Sequence, residues 1–167
     1  MAITLRTASV DETREIGAAL AELARAGDLV LLAGDLGAGK TAFAQGFGRG
    51  LGVTGPITSP TFTLAREHQG RRLRMHHLDV YRLEQLEEVL DVGLPELLDD
   101  EAVTLIEWGD AIIPALPNDY LEIRIAFLEG DDDRELHLSV VGPTWSARTR
   151  ALTQALSPWA AEAGGAC

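Results

Sequence analysis

Lys40 and Thr41 close the run Gly34-Asp35-Leu36-Gly37-Ala38-Gly39-Lys40-Thr41, which satisfies the pattern Gly-x4-Gly-Lys-Thr at every specified position. The chemistry this spacing serves is phosphate binding. Glycines let the main chain curl with its N–H groups turned inward, and a following helix offers its positive end to an anion. The Lys40 ammonium can reach the outer phosphates of a nucleotide such as ATP, and the Thr41 hydroxyl can ligate Mg2+. The plainer alternative is a glycine-rich turn that binds nothing. The apolar run Leu29–Ala33 before the loop and the helical pattern after it supply the context the motif requires. Lys40 is also the only lysine in the chain. A compact ammonium suits a phosphate cradle, and a planar guanidinium does not replace it.

Hydrolysis needs more than the loop: an acidic group near the metal and a positioned water. Glu107 follows Val103-Thr104-Leu105-Ile106, where a buried strand delivers a carboxylate to the ligand side of a sheet. It is a candidate Mg2+-associated carboxylate, with a structural ion pair as the alternative. Asp79 ends an earlier strand pattern and is a candidate for orienting water or the metal shell, with bonding to its own loop as the alternative. The residues alone leave these two roles interchangeable. His68, His76 and His77 make a poor metal cluster, since adjacent strand residues point to opposite faces, and a hydrogen-bonded structural His77 is expected. Trp108 suits a nucleotide or partner surface and core packing equally. Arg134 is a candidate phosphate or partner contact, with a hairpin salt bridge as the alternative.

These residues need elements to position them. Residues 2–7 read as a short edge strand, and Ser9 with Glu12 three positions later is a capping-box signature for a helix to about Ala24. The continuous apolar strand Leu29–Ala33 suits a parallel sheet covered on both faces. A helix carrying Phe43 and Phe47 follows Thr41 and ends near Gly48 or Gly50. The hydroxyl-rich loop Gly52–Pro60 precedes a strand Thr61–Leu64; it suits a phosphate-sensing loop and a plain turn equally. Arg71–Tyr81 reads as a long strand, Leu83–Leu90 as a short helix, Val92–Pro95 as a break and Glu96–Leu98 as a helical turn. Tyr120–Phe127 and Arg134–Val141 alternate apolar and polar residues around an acidic tip, the pattern of a β-hairpin. A last helix spans Ala147–Leu156. The expected architecture is one α/β P-loop domain over residues 1–157, with a mixed, mainly parallel sheet flanked by helices and a C-terminal hairpin. Residues 158–167 are expected to form a flexible tail.

A chain of 167 residues can bury one such core without staples. Its formal charge of −12 argues against unaided binding to nucleic acid or an anionic membrane through a broad basic face. Cys167 is the only cysteine, which excludes internal disulfides and a cysteine metal site. Met1-Ala2-Ile3-Thr4-Leu5 lacks a basic region followed by an apolar one, and no run approaches the ~20 apolar residues of a membrane span. The expected compartment is the cytoplasm.

Four blocks together are more specific than the loop alone: Gly34–Thr41, Ser59-Pro60-Thr61-Phe62, His77-Leu78-Asp79-Val80-Tyr81-Arg82 and Leu105-Ile106-Glu107-Trp108. In this order and spacing they closely resemble the TsaE family, small bacterial P-loop ATPases of tRNA threonylcarbamoyladenosine (t6A) biosynthesis. The resemblance runs from about Ser9 to Arg134. It implies weak intrinsic ATPase activity and partnership with the TsaD–TsaB pair, which modifies A37 of tRNAs reading ANN codons. ATP turnover would reset that complex between cycles, and tRNA would be met only through the partners. It further implies that Asp35, Leu36, Gly37, Ala38, Gly39, Lys40 and Thr41 cradle nucleotide and that Thr41 and Glu107 hold Mg2+. Asp79 would support hydrolysis, the Ser59 segment would resemble a switch loop, and Ser9 and Arg134 would approach the nucleotide. Rival readings fit less well. A GTPase would need an Asn-Lys-x-Asp motif, for which no second lysine exists. A small-molecule kinase would need an arginine-rich lid, for which Arg71-Arg72-x-Arg74 is thin, and a non-hydrolysing ATP-binding scaffold would show no turnover with its partners present.

Overall fold

The computed structural model describes residues 2–58, 65–80, 98, 101–107 and 113–161. Seven strands among these residues form one sheet in the order β1-β7-β6-β2-β5-β4-β3. They are β1 (Ala2–Thr7), β2 (Leu29–Gly34), β3 (Ala65–Gln69), β4 (Arg74–Asp79), β5 (Val103–Glu107), β6 (Tyr120–Phe127) and β7 (Arg134–Val141). The four central strands β6, β2, β5 and β4 are parallel. β7, β1 and β3 extend the sheet by antiparallel pairing. The expected mixed α/β sheet, the edge strand at residues 2–7 and both hairpin strands are present.

The uninterrupted apolar character of β2 follows from cover on both faces. Val30, Leu32, Leu105, Leu121 and Ile123 face one apolar cluster with α1 (Val10–Ala21) and α2 (Lys40–Gly50). Leu29, Leu31, Leu78, Ile106 and Tyr120 face another. α1 starts as its sequence indicates: the Ser9 hydroxyl accepts from the Glu12 N–H at 3.1 Å, while the Glu12 carboxylate accepts from Ala8 N–H at 2.6 Å. α1 and α2 meet through main chain. A methyl added at Gly46 would overlap the Arg14 carbonyl, and one at Gly17 would come within 2.8 Å of Phe47 N. Gly50 likewise faces Ala18. These contacts advance along both helices together, so α1 and α2 run in the same direction and begin at the same end of the sheet.

Two expectations need correction, and a third is met with an addition. The long strand at Arg71–Tyr81 begins only at Arg74, because the Arg71 and Arg72 N–H groups donate to Gly52 O and Leu51 O after α2. The Arg72 guanidinium meanwhile donates to Ala21 O, at the last residue of α1, and to Ala24 O just beyond it. The expected last helix at Ala147–Leu156 is present as α4 (Thr149–Ala155), and a short helix α3 (Pro143–Ser146) that was not expected precedes it. Arg148 leaves the helical path between them and pairs with Asp28. The start of the expected tail is attached, since Trp159 packs against the core, Ala160 bridges Leu5 and Ala161 N–H donates to Thr4 O at 2.9 Å, while residues 162–167 lie outside the described residues. The Ser59 segment, the strand expected at residues 61–64, the helix at 83–90 and the break at 92–95 lie outside the described residues. So do Tyr81, Arg82, Trp108 and the helical turn expected at residues 96–98, apart from Leu98 itself.

Candidate nucleotide site

Strand direction alone brings most of the candidate residues to one edge. β2 ends at Gly34, β4 at Asp79 and β5 at Glu107. Asp79 and Glu107 are direct partners across β4 and β5, and Leu32 is the partner of Glu107 across β2 and β5. Thr7 and Phe127, at the ends of β1 and β6, both pair with Arg134 at the start of β7. Ser9 follows Thr7, so its helix cap lies at this edge too.

The phosphate loop leaves β2 through Gly34 and enters α2 through Gly39, which has φ 115° and ψ 16°. That left-handed conformation is easily reached only without a Cβ. At Gly34 a Cβ would lie 2.6 Å from the Ile125 carbonyl oxygen, so β6 and the loop approach too closely for a side chain. No side chain caps the start of α2. Its first N–H groups are therefore presented to the loop as an anion site would require. Lys40 is buried, and its ammonium donates to the carbonyls of Gly34 at 2.6 Å and Asp35 at 3.0 Å. Thr41 is half-buried on the first turn of α2. Leu36 and Gly37 are exposed, Asp35 is also exposed to solvent, and Ala38 is buried.

Arg134 braces this loop. Its Nε–H donates to Ala38 O at 3.0 Å, its Nη1 donates to Asp131 O and Asp133 O at 2.9 Å each, and its guanidinium lies 4.6 Å over the Phe127 ring. A small hollow of about 50 Å3 beside the loop is bounded by Val10, Thr13, Gly39 and Arg134 among others. A larger one of about 420 Å3 lies away from the loop, between Arg14, Gln45, Arg49 and residues 53–58. The loop chemistry, rather than hollow size, marks the site.

The carboxylates sit on the sheet face that also carries α2. Both are buried. Glu107 Oε2 lies 2.6 Å from His77 Nε2, and His77 is fully buried. The structural, hydrogen-bonded His77 expected from sequence is present, but its pairing with Glu107 is not visible in the spacing. His68 approaches His77 with ring centroids 6.4 Å apart. Burial first, then the His77 imidazole and the Arg66 guanidinium, hold the His68 pKa below its ordinary value of 6.5. No group of three or more His, Cys, Asp or Glu side chains suited to a metal occurs among the described residues.

These residues fit a nucleotide and Mg2+. Positive-φ glycines, an uncapped helix start and a lysine suit phosphate oxygens. Mg2+ commonly takes one or two protein oxygens, phosphate oxygens and water, so Thr41 with Glu107 would suffice to hold it without a dedicated cage. Asp79, adjacent in register, would accept a hydrogen bond from water. Two of the three arginines considered for a lid are otherwise engaged: Arg72 beside the end of α1 and Arg74 with Glu67 at 3.5 Å.

A sequence model of the family described as threonylcarbamoyl adenosine biosynthesis protein TsaE matches residues 7–136. The chain is 44% identical over 137 residues to the tRNA threonylcarbamoyladenosine biosynthesis protein TsaE of Bacillus subtilis, covering 82% of this chain and 85% of that one. It is 47% identical over 133 residues to the protein of the same name from Streptomyces coelicolor, covering 77% and 89%. The crystal structure of Bacillus YdiB superposes with a TM-score of 0.77 at 37% identity, covering 95% of each chain.

Proposed function

The chain belongs to the TsaE family, and we propose that it is a Mg2+-dependent ATPase supporting t6A formation at position 37 of tRNA. It acts by binding and resetting the TsaD–TsaB complex, with low turnover alone. The observation that carries this reading is the meeting of the Gly34–Thr41 loop with Asp79 and Glu107 at one sheet edge. The formal charge of −12 supports a chain that meets tRNA through its partners. No described helix is long and apolar enough to cross a membrane, and the cytoplasm is the proposed compartment.

Each residue has a distinct part. The main-chain N–H groups of residues 35–40 surround the phosphates, and Lys40 exchanges its bonds to Gly34 O and Asp35 O for phosphate oxygens. Thr41 and Glu107 hold Mg2+, which when bound offsets charge on the outer phosphates. Asp79 orients the attacking water. Arg134 keeps the loop in shape, and the cap at Ser9 fixes α1 beside it.

The test is multiple-turnover threonylcarbamoyl transfer to tRNA with TsaD–TsaB, preformed threonylcarbamoyl-adenylate and ATP. Wild-type protein should sustain repeated cycles and Lys40→Ala should stop after the first. Equal recycling by both proteins would refute the ATPase role, and phosphate transfer to another small molecule would establish a kinase instead.

A further inference from the structure

Glu107 is the last residue of β5, where a carboxylate side chain would ordinarily sample several rotamers. Here one oxygen is already committed. Oε2 is 2.6 Å from Nε2 of His77, while Oε1 makes no hydrogen bond among the described residues. His77 lies on the adjacent parallel strand, two residues before the direct partner of Glu107. Side chains two apart on a strand share a face, so the bond runs diagonally along the face that carries α2.

The imidazole has little else to do. It is fully buried, and its Nδ1 has no hydrogen-bond partner among the described residues. Burying a ring nitrogen without a partner is costly, and an apolar side chain would fill the same volume without that cost. What an apolar side chain cannot do is donate to Glu107. An ionised carboxylate only accepts, so Nε2 carries the proton in this bond. We propose that His77 is a positioning residue: its Nε2–H holds Oε2 of Glu107 and leaves Oε1 as the oxygen presented to Mg2+. The inference rests on the assignment of Glu107 to the metal and goes beyond it by naming the residue that orients that ligand. Outer partners of this kind commonly control metal affinity by about 10- to 100-fold.

The test compares His77→Gln, whose side-chain amide nitrogen can occupy the place of Nε2, with His77→Asn, whose shorter amide cannot reach it. Mn2+ binding to the ADP complex, read by electron paramagnetic resonance, is measured beside ADP affinity without metal. His77→Gln should stay within about threefold of wild type in Mn2+ affinity, whereas His77→Asn should lose about tenfold. Metal-free ADP affinity should match in all three, which also establishes that the variants are folded. Equal Mn2+ affinity in His77→Asn and wild type, or equal losses in both variants, would overturn the positioning role. Glu107→Gln separates the two layers. If it leaves Mn2+ affinity unchanged, the metal assignment of Glu107 fails and the role of His77 falls with it. If it weakens Mn2+ binding while His77→Asn does not, only the inference about His77 fails.

Discussion

The Nε–H of Arg134 donates to the carbonyl oxygen of Ala38 at 3.0 Å, joining the first residue of β7 to the phosphate loop 96 positions earlier in the chain. The same guanidinium also meets two hairpin carbonyls and the Phe127 ring. One side chain therefore couples the acidic hairpin tip to the loop. Arg134→Ala should lower ADP affinity about tenfold, the scale of one lost charge-assisted hydrogen bond. Titration calorimetry checks this, and affinity within twofold of wild type would contradict the bracing role.

Lys40→Ala should reduce MgATP affinity by about 100-fold, because in the proposed role the ammonium would form charge-assisted bonds with the outer phosphates. Stability should fall less, by about 1–2 kcal/mol, the scale of hydrogen bonds such as those the ammonium donates to the carbonyls of Gly34 and Asp35. Calorimetric titration and urea unfolding of the same preparation distinguish a binding defect from a folding defect.

Arg148 and Asp28 form a buried two-pronged ion pair at 2.5 and 2.8 Å, and the guanidinium also lies 4.3 Å over the Trp145 ring. Asp28 accepts from Arg25 N–H as well, at 2.6 Å. Arg148→Met should destabilise the fold by about 3–5 kcal/mol, because it strands a buried carboxylate. Chemical denaturation of Arg148→Met and of the double variant Arg148→Met/Asp28→Asn measures this. The double variant should recover part of the loss.

The depressed pKa of His68 has a definite sign. Its folded value lies below the ordinary 6.5, with burial as the leading cause, so the unfolded chain binds this proton more readily. The stability associated with neutral His68 is complete above the unfolded value and is lost as pH falls through the folded one. His68→Gln should therefore lose less thermal stability than wild type between pH 7.5 and pH 5. Parallel melting curves at the two pH values decide it, and equal losses would contradict the assignment.

Local chemistry explains what can be read from the sequence. The phosphate loop, the cap at Ser9, the buried β2 and the alternating β6–β7 hairpin each carry their signal within a few consecutive residues. β3 carries no such signal, because Ala65–Gln69 is polar and mostly exposed, as an edge strand can be, and shows no apolar alternation. The Arg148–Asp28 pair is hidden for a different reason: its partners lie 120 positions apart. The same holds in the site. Spacing points to Glu107 and Asp79 separately, but their adjacency and the grip of His77 depend on which strands become neighbours. Phe127 follows the alternation of its strand yet is half exposed, because it lies at the sheet edge beside the loop.

The seam of Gly17, Gly46 and Gly50 has a mechanical consequence. Where two helices touch backbone to backbone, no side chain can change rotamer to absorb a displacement between them. Lys40 and Thr41 are thus mounted on a stiff two-helix block whose own geometry cannot readily report whether the outer phosphate is present. A bound outer phosphate would then be felt at the strand ends, Asp79 and Glu107, rather than as a shift of α1 against α2.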